Sequence, residues 1–222
     1  MSDDAKQKEA MEDIRTFKIC ELSQKPLYIH PFAIEYNQAG TDIRWECINI
    51  HDSVSILIHN VSRDVLVFVK QFRAVRYLSQ NPKSVGKELY DDLDVSLIPT
   101  SQGCTLEFCA GLCDKPGLSP EQSAKEELME EVGYDVPLEK IKFLTTYFST
   151  STIIKNTSNV FYCQVTDDMK VGKGGGVDSE IISVVELPIS TFIPMQIDLF
   201  QHMPAAAIAI VCYYIQNIYK SK

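Results

Sequence analysis

The sequence predicts an α/β fold in which a mixed β-sheet lies between helices, preceded by a small N-terminal β hairpin. The first observation is a series of β-branched and aromatic runs, of which VLVFVKQF at residues 65–72 is the strongest. The second is a pair of helical segments, one of which carries start and stop signals at its two ends. Strands mixed with helices in this way are typical of a sheet with helices on its faces.

The first hundred residues are predicted to be mainly strand and loop. Residues 1–16 are polar, and we expect them to be frayed. Residues 78–103 are polar, contain Pro82 and Pro99, and predict a long loop. Extended runs predict a hairpin across the turn at 37–40 and then a second strand pair: residues 27–36 with 42–50, and 54–58 with 65–72.

The strongest helix prediction covers residues 120–132. Ser119 is a suitable N-cap, Pro120 occupies the first helical position, and Gln122 completes a capping box. Gly133 stands where a glycine commonly ends a helix. The signals at both ends therefore agree on the bounds of one helix.

The remaining elements are predicted from shorter signals. The glycine-rich segment 172–176 lacks the spacing of a phosphate-binding P-loop, and we interpret it as a flexible loop that closes over substrate. The apolar run at 205–215 is too short to span a membrane and predicts a buried helix. The other predicted segments are strands at 105–110, 141–147, 159–165 and 181–187, and the closing helix at 204–219.

Composition limits the possible functions. The 222 residues carry 21 Lys and Arg against 30 Asp and Glu, a formal charge of −9. This balance argues against a nucleic-acid binder, although bound cations can still bring phosphate compounds to an acidic protein. We divide the chain into a tail and β subdomain at 1–50 and a main domain at 51–222.

The cysteines and the N-terminus indicate the compartment. The seven cysteines are scattered and form no C-x-x-C pair, which favours free thiols in a reducing compartment over a disulfide framework or a zinc site. The N-terminus is acidic and lacks an apolar signal segment. We therefore expect a cytoplasmic protein without a membrane span.

An acidic face on the predicted helix is the main candidate site. Glu127, Glu130 and Glu131 are spaced i, i+3 and i+4 and therefore share one side of the helix. A solvated acidic face is the commoner explanation for such a charge run. The alternative is a site for Mg²⁺, which prefers oxygen ligands and is held by carboxylates together with substrate phosphates.

Residues 111–134, GLCDKPGLSPEQSAKEELMEEVGY, resemble the Nudix box, whose pattern is G-x₅-E-x₇-R-E-U-x-E-E-x-G-U, where U is an apolar residue. The matching positions are Glu127, Leu128, Glu130, Glu131, Gly133 and Tyr134. The segments at 69–73 and 107–111, with Trp45-Glu46, resemble the Nudix branch that hydrolyses ADP-ribose and nucleotide sugars. The segment 51–54, the extra residue in the box and the triple glycine resemble the UDP-sugar diphosphatases of that branch.

The resemblance implies a Nudix fold and hydrolysis of a diphosphate, with UDP-glucose giving UMP and glucose 1-phosphate. It implies Mg²⁺ as cofactor, with Mn²⁺ as a possible substitute, bound by Glu127, Glu131, the carbonyl of Ala110 and, as a further ligand or a group behind the ligands, Glu130. A late loop would add Glu180 as a metal ligand or water activator, with Asp178 as second choice. A solvated loop is an equally good explanation for those two residues.

The resemblance also suggests where substrate is bound. Arg73 is a candidate phosphate clamp, or else a surface ion pair, and Arg76 is a weaker candidate. Trp45 would stack on the base across a homodimer, or else belong to the core of the hairpin. Glu107 would line the site near the sugar or metals, or else be an ordinary edge-strand residue.

Two departures from the box keep other functions open. Leu118 replaces the first glutamate, and Glu126 replaces the arginine that helps to orient the metal-binding carboxylates. A catalytically weak module that binds nucleotides or proteins is therefore one rival, and an ADP-ribose diphosphatase is another. An acidic α/β interaction domain without a metal is the third.

Overall fold

The computed structural model describes residues 3–20, 22, 26–80, 94–177, 180–193 and 197–219, and five α-helices and ten strands lie in these ranges. The helices are α1 (Asp3–Glu12), α2 (Ala74–Ser79), α3 (Pro120–Val132), α4 (Ile197–Phe200) and α5 (Ala205–Asn217). The first strands are β1 (His30–Gln38), β2 (Thr41–Asn49), β3 (Ser53–Asn60), β4 (Val65–Phe72) and β5 (Cys104–Glu107). The others are β6 (Cys109–Leu112), β7 (Lys142–Tyr147), β8 (Ile154–Lys155), β9 (Ser158–Val165) and β10 (Ile182–Pro188).

Seven strands form a mixed central sheet, as the sequence predicts. Five of them lie in the order β10-β4-β3-β9-β7, and the β3–β9 pair is parallel whereas the neighbouring pairs are antiparallel. Strands β3 and β4 pair only near their shared turn, at residues 58–60 and 65–67. Beyond that point β5 pairs with β4 and β6 pairs with β3. The splayed strands therefore leave room for β5 and β6 between them, and the second half of α3 lies against β6.

The sheet separates two apolar cores. On one face, Ile56 and Val67 pack with α3, which contributes Ala124, Leu128 and Val132. On the other face, Leu57 and Phe68 pack with α5, which contributes Ala207, Ile210, Val211 and Tyr214. Neighbouring residues of β3 and β4 thus point to opposite faces, as the period of a strand requires. The predicted sandwich of a sheet between helices is confirmed.

The N-terminal hairpin belongs to a second, three-stranded sheet in the order β1-β2-β8. Its turn is the pair Ala39 and Gly40, whose φ angles of 53° and 85° suit the tight two-residue turns of β hairpins. Strand β8, which the sequence did not reveal, pairs parallel with the end of β2. With only two residues, it is too short for a periodic pattern to indicate it.

Two other predictions are wrong, and a third is wrong at its two ends. The tail expected to be frayed contains α1, whose Met11 is buried. The expected loop at 78–103 overlaps the end of α2 and holds a 3₁₀ turn at Thr100–Gly103, while its residues 81–93 lie outside the described ranges. The expected strand at 105–110 is two strands, because β5 and β6 leave Phe108 between them to join different partners.

The other predictions hold closely. Helix α3 has the predicted bounds, and α5 begins one residue later and ends two residues earlier than predicted. The seven cysteines are free, and four of them are buried. In the part of the chain that the structure describes, no helix has the length and apolar character needed to cross a bilayer.

Candidate active site

Helix α3 is held at both ends by the residues that the sequence indicated. The Ser119 hydroxyl accepts from the Gln122 N–H at 3.3 Å, and the Gln122 side chain accepts from the Ser119 N–H at 2.8 Å. At the other end Gly133 has a φ of 74°, and the N–H of Tyr134 donates to the carbonyl of Leu128 at 2.9 Å. Local hydrogen bonds therefore define both ends of the helix that carries the acidic side chains.

Glu131 is a buried carboxylate with only 4% of its surface exposed. Its Oε2 accepts a hydrogen bond of 2.9 Å from the N–H of Ala110 in β6. The thiol of Cys109, which is itself buried, contributes a second hydrogen bond. The predicted site residue Ala110 therefore does lie against the helix, and its N–H orients one carboxylate.

Glu127 lies beside Glu131 and packs directly on the backbone of β6. A Cβ added at Gly111 would lie 1.8 Å from Oε1 of Glu127, far inside contact distance. Glycine is thus the only residue that leaves room for this carboxylate. The first glycine of the box motif has a steric reason that the sequence alone did not reveal.

When ionised, the two carboxylates carry more negative charge than the surroundings balance. Burial, together with the charges of Glu127 and Glu180, raises the pKa of Glu131 to about 8 against the opposing bond from Ala110. Burial, with the charges of Glu130 and Glu180, raises the pKa of Glu127 to about 7. Such shifts are common at functional sites, because structural carboxylates are usually paired with a cation.

Glu180 is close enough to act on both carboxylates of α3. Its charge raises the pKa of Glu127 and of Glu131. Its own Oε2 accepts from the N–H of Val177 at 3.1 Å, so the loop backbone fixes the side chain. Asp178, the alternative candidate on this loop, lies outside the described residues.

Arg73 and Glu107 form a bidentate ion pair at the edge of this acidic cluster. Two guanidinium nitrogens donate to the two Glu107 oxygens at 2.9 and 2.7 Å. The bond to Glu107, and beyond it the charges of Glu131 and Glu180, hold the pKa of Arg73 above its ordinary value. Burial tends to raise the pKa of Glu107, but the bonds from Arg73 and Thr105 lower it overall. Arg73 is thus within electrostatic reach of Glu131 and Glu180, and Glu107 is its ion-pair partner.

Two other predicted contacts are engaged elsewhere. The Arg76 guanidinium donates to the carbonyl of Gln201 at 3.1 Å. Trp45 lies on β2 of the small sheet, half-exposed, and its indole N–H donates to the carbonyl of Thr152 at 2.8 Å. These contacts do not join either residue to the acidic cluster within this chain.

The donor set suits a hard divalent cation by its chemistry. Carboxylates of Glu127, Glu131 and Glu180 are close enough to repel one another, and a bound cation would relieve that repulsion. Their oxygens are nevertheless not grouped as ligands: across the described ranges, no set of three or more His, Cys, Asp and Glu side chains could hold a metal ion. In this structure the Glu131 Oε2 is bonded to β6 instead.

Comparison with known proteins agrees with the box resemblance. Uridine diphosphate glucose pyrophosphatase NUDT14 of Mus musculus is 37% identical over 169 residues, which cover 72% of this chain and 76% of the relative. The protein of the same name from Bos taurus is 36% identical, over 81% of this chain and 84% of the relative. The chain belongs to the Nudix hydrolase family. A GDP-mannose pyrophosphatase of Klebsiella pneumoniae is 28% identical over 84% of each chain. No protein-family model matches the chain.

The loop before α3 places a lysine beside the helix position where the Nudix box usually has its arginine. The ammonium group of Lys115 lies 2.6 Å from Oε2 of Glu126 and 3.6 Å from Oε1 of Glu130. Its charge also opposes the rise in the pKa of Glu127. The helix position of the usual arginine carries Glu126, and Lys115 of the loop forms an ion pair with it. Sequence reasoning missed this ion pair because Lys115 lies eleven residues from its partner.

Proposed function

We propose that this Nudix hydrolase cleaves the diphosphate of nucleotide sugars, with UDP-glucose giving UMP and glucose 1-phosphate. One structural observation supports it most. Glu127 and Glu131 are packed on β6 with pKa values raised to about 7 and 8, next to Glu180. A buried acidic cluster of this kind suits a metal-dependent reaction on an anionic substrate, and both relatives named for UDP-glucose share the chain's family.

Glu127 and Glu131 would hold Mg²⁺, with Glu130, Glu180 and the carbonyl of Ala110 as the other proposed ligands. The bound cation would neutralise phosphate charge and lower the pKa of a bound water. A carboxylate of this cluster, in our proposal that of Glu180, accepts the proton from the attacking water. The water oxygen bonds to one phosphorus, the bond to the bridging oxygen breaks, and the other phosphate leaves. No covalent bond to the protein is formed.

Arg73 is the proposed phosphate clamp. Its guanidinium presents two parallel donors, which fit a phosphate as well as they fit the Glu107 carboxylate. When substrate binds, a phosphate oxygen would replace one Glu107 oxygen as a hydrogen-bond acceptor for Arg73. Glu107 would keep the guanidinium oriented in the meantime, a role that its ion pair with Arg73 supports.

The small sheet supports a proposed homodimer. Ile34 faces Trp45 across β1 and β2, Tyr36 faces Ile43, and the side chains of Ile34, Tyr36 and Trp45 are 43–48% exposed. An apolar face of this kind is suited to a second copy, which would also place Trp45 against a base. A monomeric mass in light scattering at micromolar concentration would contradict the dimer. The free cysteines fit action in the cytoplasm, which we retain as the proposed location.

A comparison of initial rates tests the proposed substrate class. UDP-glucose, GDP-mannose and ADP-ribose are incubated separately with the protein and MgCl₂, and the nucleotide products are quantified by chromatography. We expect the highest kcat/KM for UDP-glucose. A higher value for ADP-ribose would favour the ADP-ribose diphosphatase instead.

The arrangement of the carboxylates favours one alternative, a Nudix module that binds nucleotides with little turnover. Two observations favour it. In the described residues the oxygens of the acidic cluster are not grouped as metal ligands, and Glu126 stands where the usual arginine would be. Glu131→Gln distinguishes the two. An enzyme loses its rate by orders of magnitude, whereas a binding module keeps its nucleotide affinity in the presence of chelator. Glu139→Gln, which changes an exposed carboxylate elsewhere, is the matched control.

A further inference from the structure

The glycine-rich segment 172–176, here called the glycine clamp, is bonded to the end of α3. The N–H of Gly175 donates to the carbonyl of Glu131 at 2.9 Å, and the N–H of Gly176 donates to that of Glu130 at 3.1 Å. These carbonyls lie in the last turn of the helix, where no further helical N–H is available to them. In place of a loop free to close over substrate, the structure shows one tied to the helix that carries the acidic face.

The contact between the clamp and the helix requires glycine. A Cβ on Gly174 would lie 2.2 Å from the carbonyl oxygen of Glu131, and one on Gly133 would lie 2.2 Å from that of Gly172. Gly174, Gly175 and Gly176 also have φ angles of 69°, 117° and 86°, which residues with a side chain rarely adopt. The two backbones therefore approach more closely than any other residue type would allow.

The same clamp reaches Glu180. A Cβ on Gly176 would lie 2.7 Å from the Cβ of Glu180 and 2.8 Å from its Oε2. Two hydrogen bonds join Glu180 to Val177. The N–H of Glu180 donates to the carbonyl of Val177 at 3.0 Å, and the N–H of Val177 donates to Oε2 of Glu180. The N–H of Ile182 bonds to the carbonyl of Gly175 at 3.3 Å, which connects the clamp to β10. Hydrogen bonds and close contacts of the clamp thus connect the backbone of Glu131 to the side chain of Glu180.

We propose that Gly174 and Gly176 are positioning residues, which fix the Glu180 carboxylate relative to those of Glu127 and Glu131. This inference rests on the proposed function, because it assigns the three carboxylates to one metal-dependent site. It also explains why the loop has glycine at successive positions. The clamp would set the separation of carboxylates on two different elements, which neither element determines alone.

Gly176→Ala is the sharpest test, because its added methyl group meets both the Cβ and the Oε2 of Glu180. The Mn²⁺ dissociation constant, measured by electron paramagnetic resonance, should rise about tenfold or more. Steady-state kinetics with UDP-glucose should show kcat reduced about tenfold or more, with KM nearly unchanged. Gly174→Ala, whose methyl group meets the Glu131 backbone, should shift both quantities in the same direction.

Gly40→Ala is the matched control. Gly40 has a φ of 85°, close to that of Gly176, but nothing lies within 4 Å of an added Cβ. It therefore introduces the same backbone strain in the other sheet, and its Mn²⁺ affinity should equal that of the wild type. An equal loss of Mn²⁺ affinity in Gly40→Ala would show that strain, and not positioning, causes the effect.

A double variant separates positioning from general damage. If Gly176 acts through Glu180, adding Gly176→Ala to Glu180→Gln should reduce kcat no further. Unchanged Mn²⁺ affinity and kcat in Gly176→Ala, or an undiminished additional loss in the double variant, would overturn the inference. After such a result the proposed function would still stand, provided that Glu131→Gln is inactive in the same assays. Full activity of Glu131→Gln would instead overturn the proposed function itself.

Discussion

Glutamine at position 131 should stabilise the metal-free protein while it removes activity. Burial raises the pKa of the Glu131 carboxyl to about 8 in the folded state, whereas its ordinary value is 4.5. The folded state therefore binds the proton more tightly than the unfolded state does, and stability falls as pH rises from about 4.5 to about 8. Glutamine keeps the shape of the side chain and its acceptor for the Ala110 N–H, but it has no charge to bury.

The size of the effect follows from linkage. With these two pKa values, Glu131 lowers the free energy of unfolding by about 1 kcal/mol at pH 5.5 and by up to about 4 kcal/mol at pH 7.5. The gain on substitution should therefore grow by roughly 2–3 kcal/mol between the two pH values. Glu127 contributes to the wild-type slope in the same direction, since its pKa is raised to about 7.

Urea unfolding with EDTA at both pH values measures this gain, and Glu139→Gln serves as the control at an exposed site. The rate of UDP-glucose hydrolysis with MgCl₂ is measured on the same samples. A Glu131→Gln protein that is equally stable or less stable than the wild type at pH 7.5 would refute the claim of an unbalanced buried charge. A gain independent of pH would show that packing, and not ionisation, is responsible.

Other predictions concern the metal, Gly111 of the Nudix box and Arg73. MgCl₂ should raise the melting temperature more at pH 8.5 than at pH 6, because the cation competes with protons on Glu127 and Glu131; an equal rise at both pH values would contradict this. Gly111→Ala should displace the Glu127 carboxylate, reduce kcat at least about tenfold and destabilise by about 1–3 kcal/mol. Gly117→Ala, which has open space for its methyl group, should retain kcat. Arg73→Lys should raise KM for UDP-glucose about tenfold, because lysine keeps the charge but loses the paired donors; an unchanged KM would remove Arg73 from the substrate site.

Local signals account for the parts of the fold that the sequence predicted well. The bounds of α3 depend on Ser119, Gln122 and Gly133, whose interactions are made within a few residues. Strands β3 and β4 are buried on both faces, and their β-branched runs are correspondingly clear. Tertiary contacts decide the rest. Helix α1 has no apolar periodicity, and it is held by Met11 in the core and by the ion pair of Glu12 with Lys70.

The candidate site shows the same division. The i, i+3 and i+4 spacing put Glu127, Glu130 and Glu131 on one face, and Glu131 and Glu127 do face β6. Sequence spacing carries no information on what lies opposite that face. The contact of Gly111 with Glu127, the bond from Ala110 to Glu131 and the bonds from the glycine clamp to α3 join segments that are separate in the sequence, so only the folded chain reveals them.

Phosphorus NMR of the purified protein with UDP-glucose and MgCl₂ tests most directly whether the acidic cluster of α3 hydrolyses a nucleotide-sugar diphosphate. We predict that the diphosphate signals are replaced by those of UMP and glucose 1-phosphate, and that Glu131→Gln leaves the substrate intact under the same conditions. Intact UDP-glucose with the folded wild-type protein would contradict the proposed activity. Equal product formation by Glu131→Gln would place the chemistry somewhere other than this cluster.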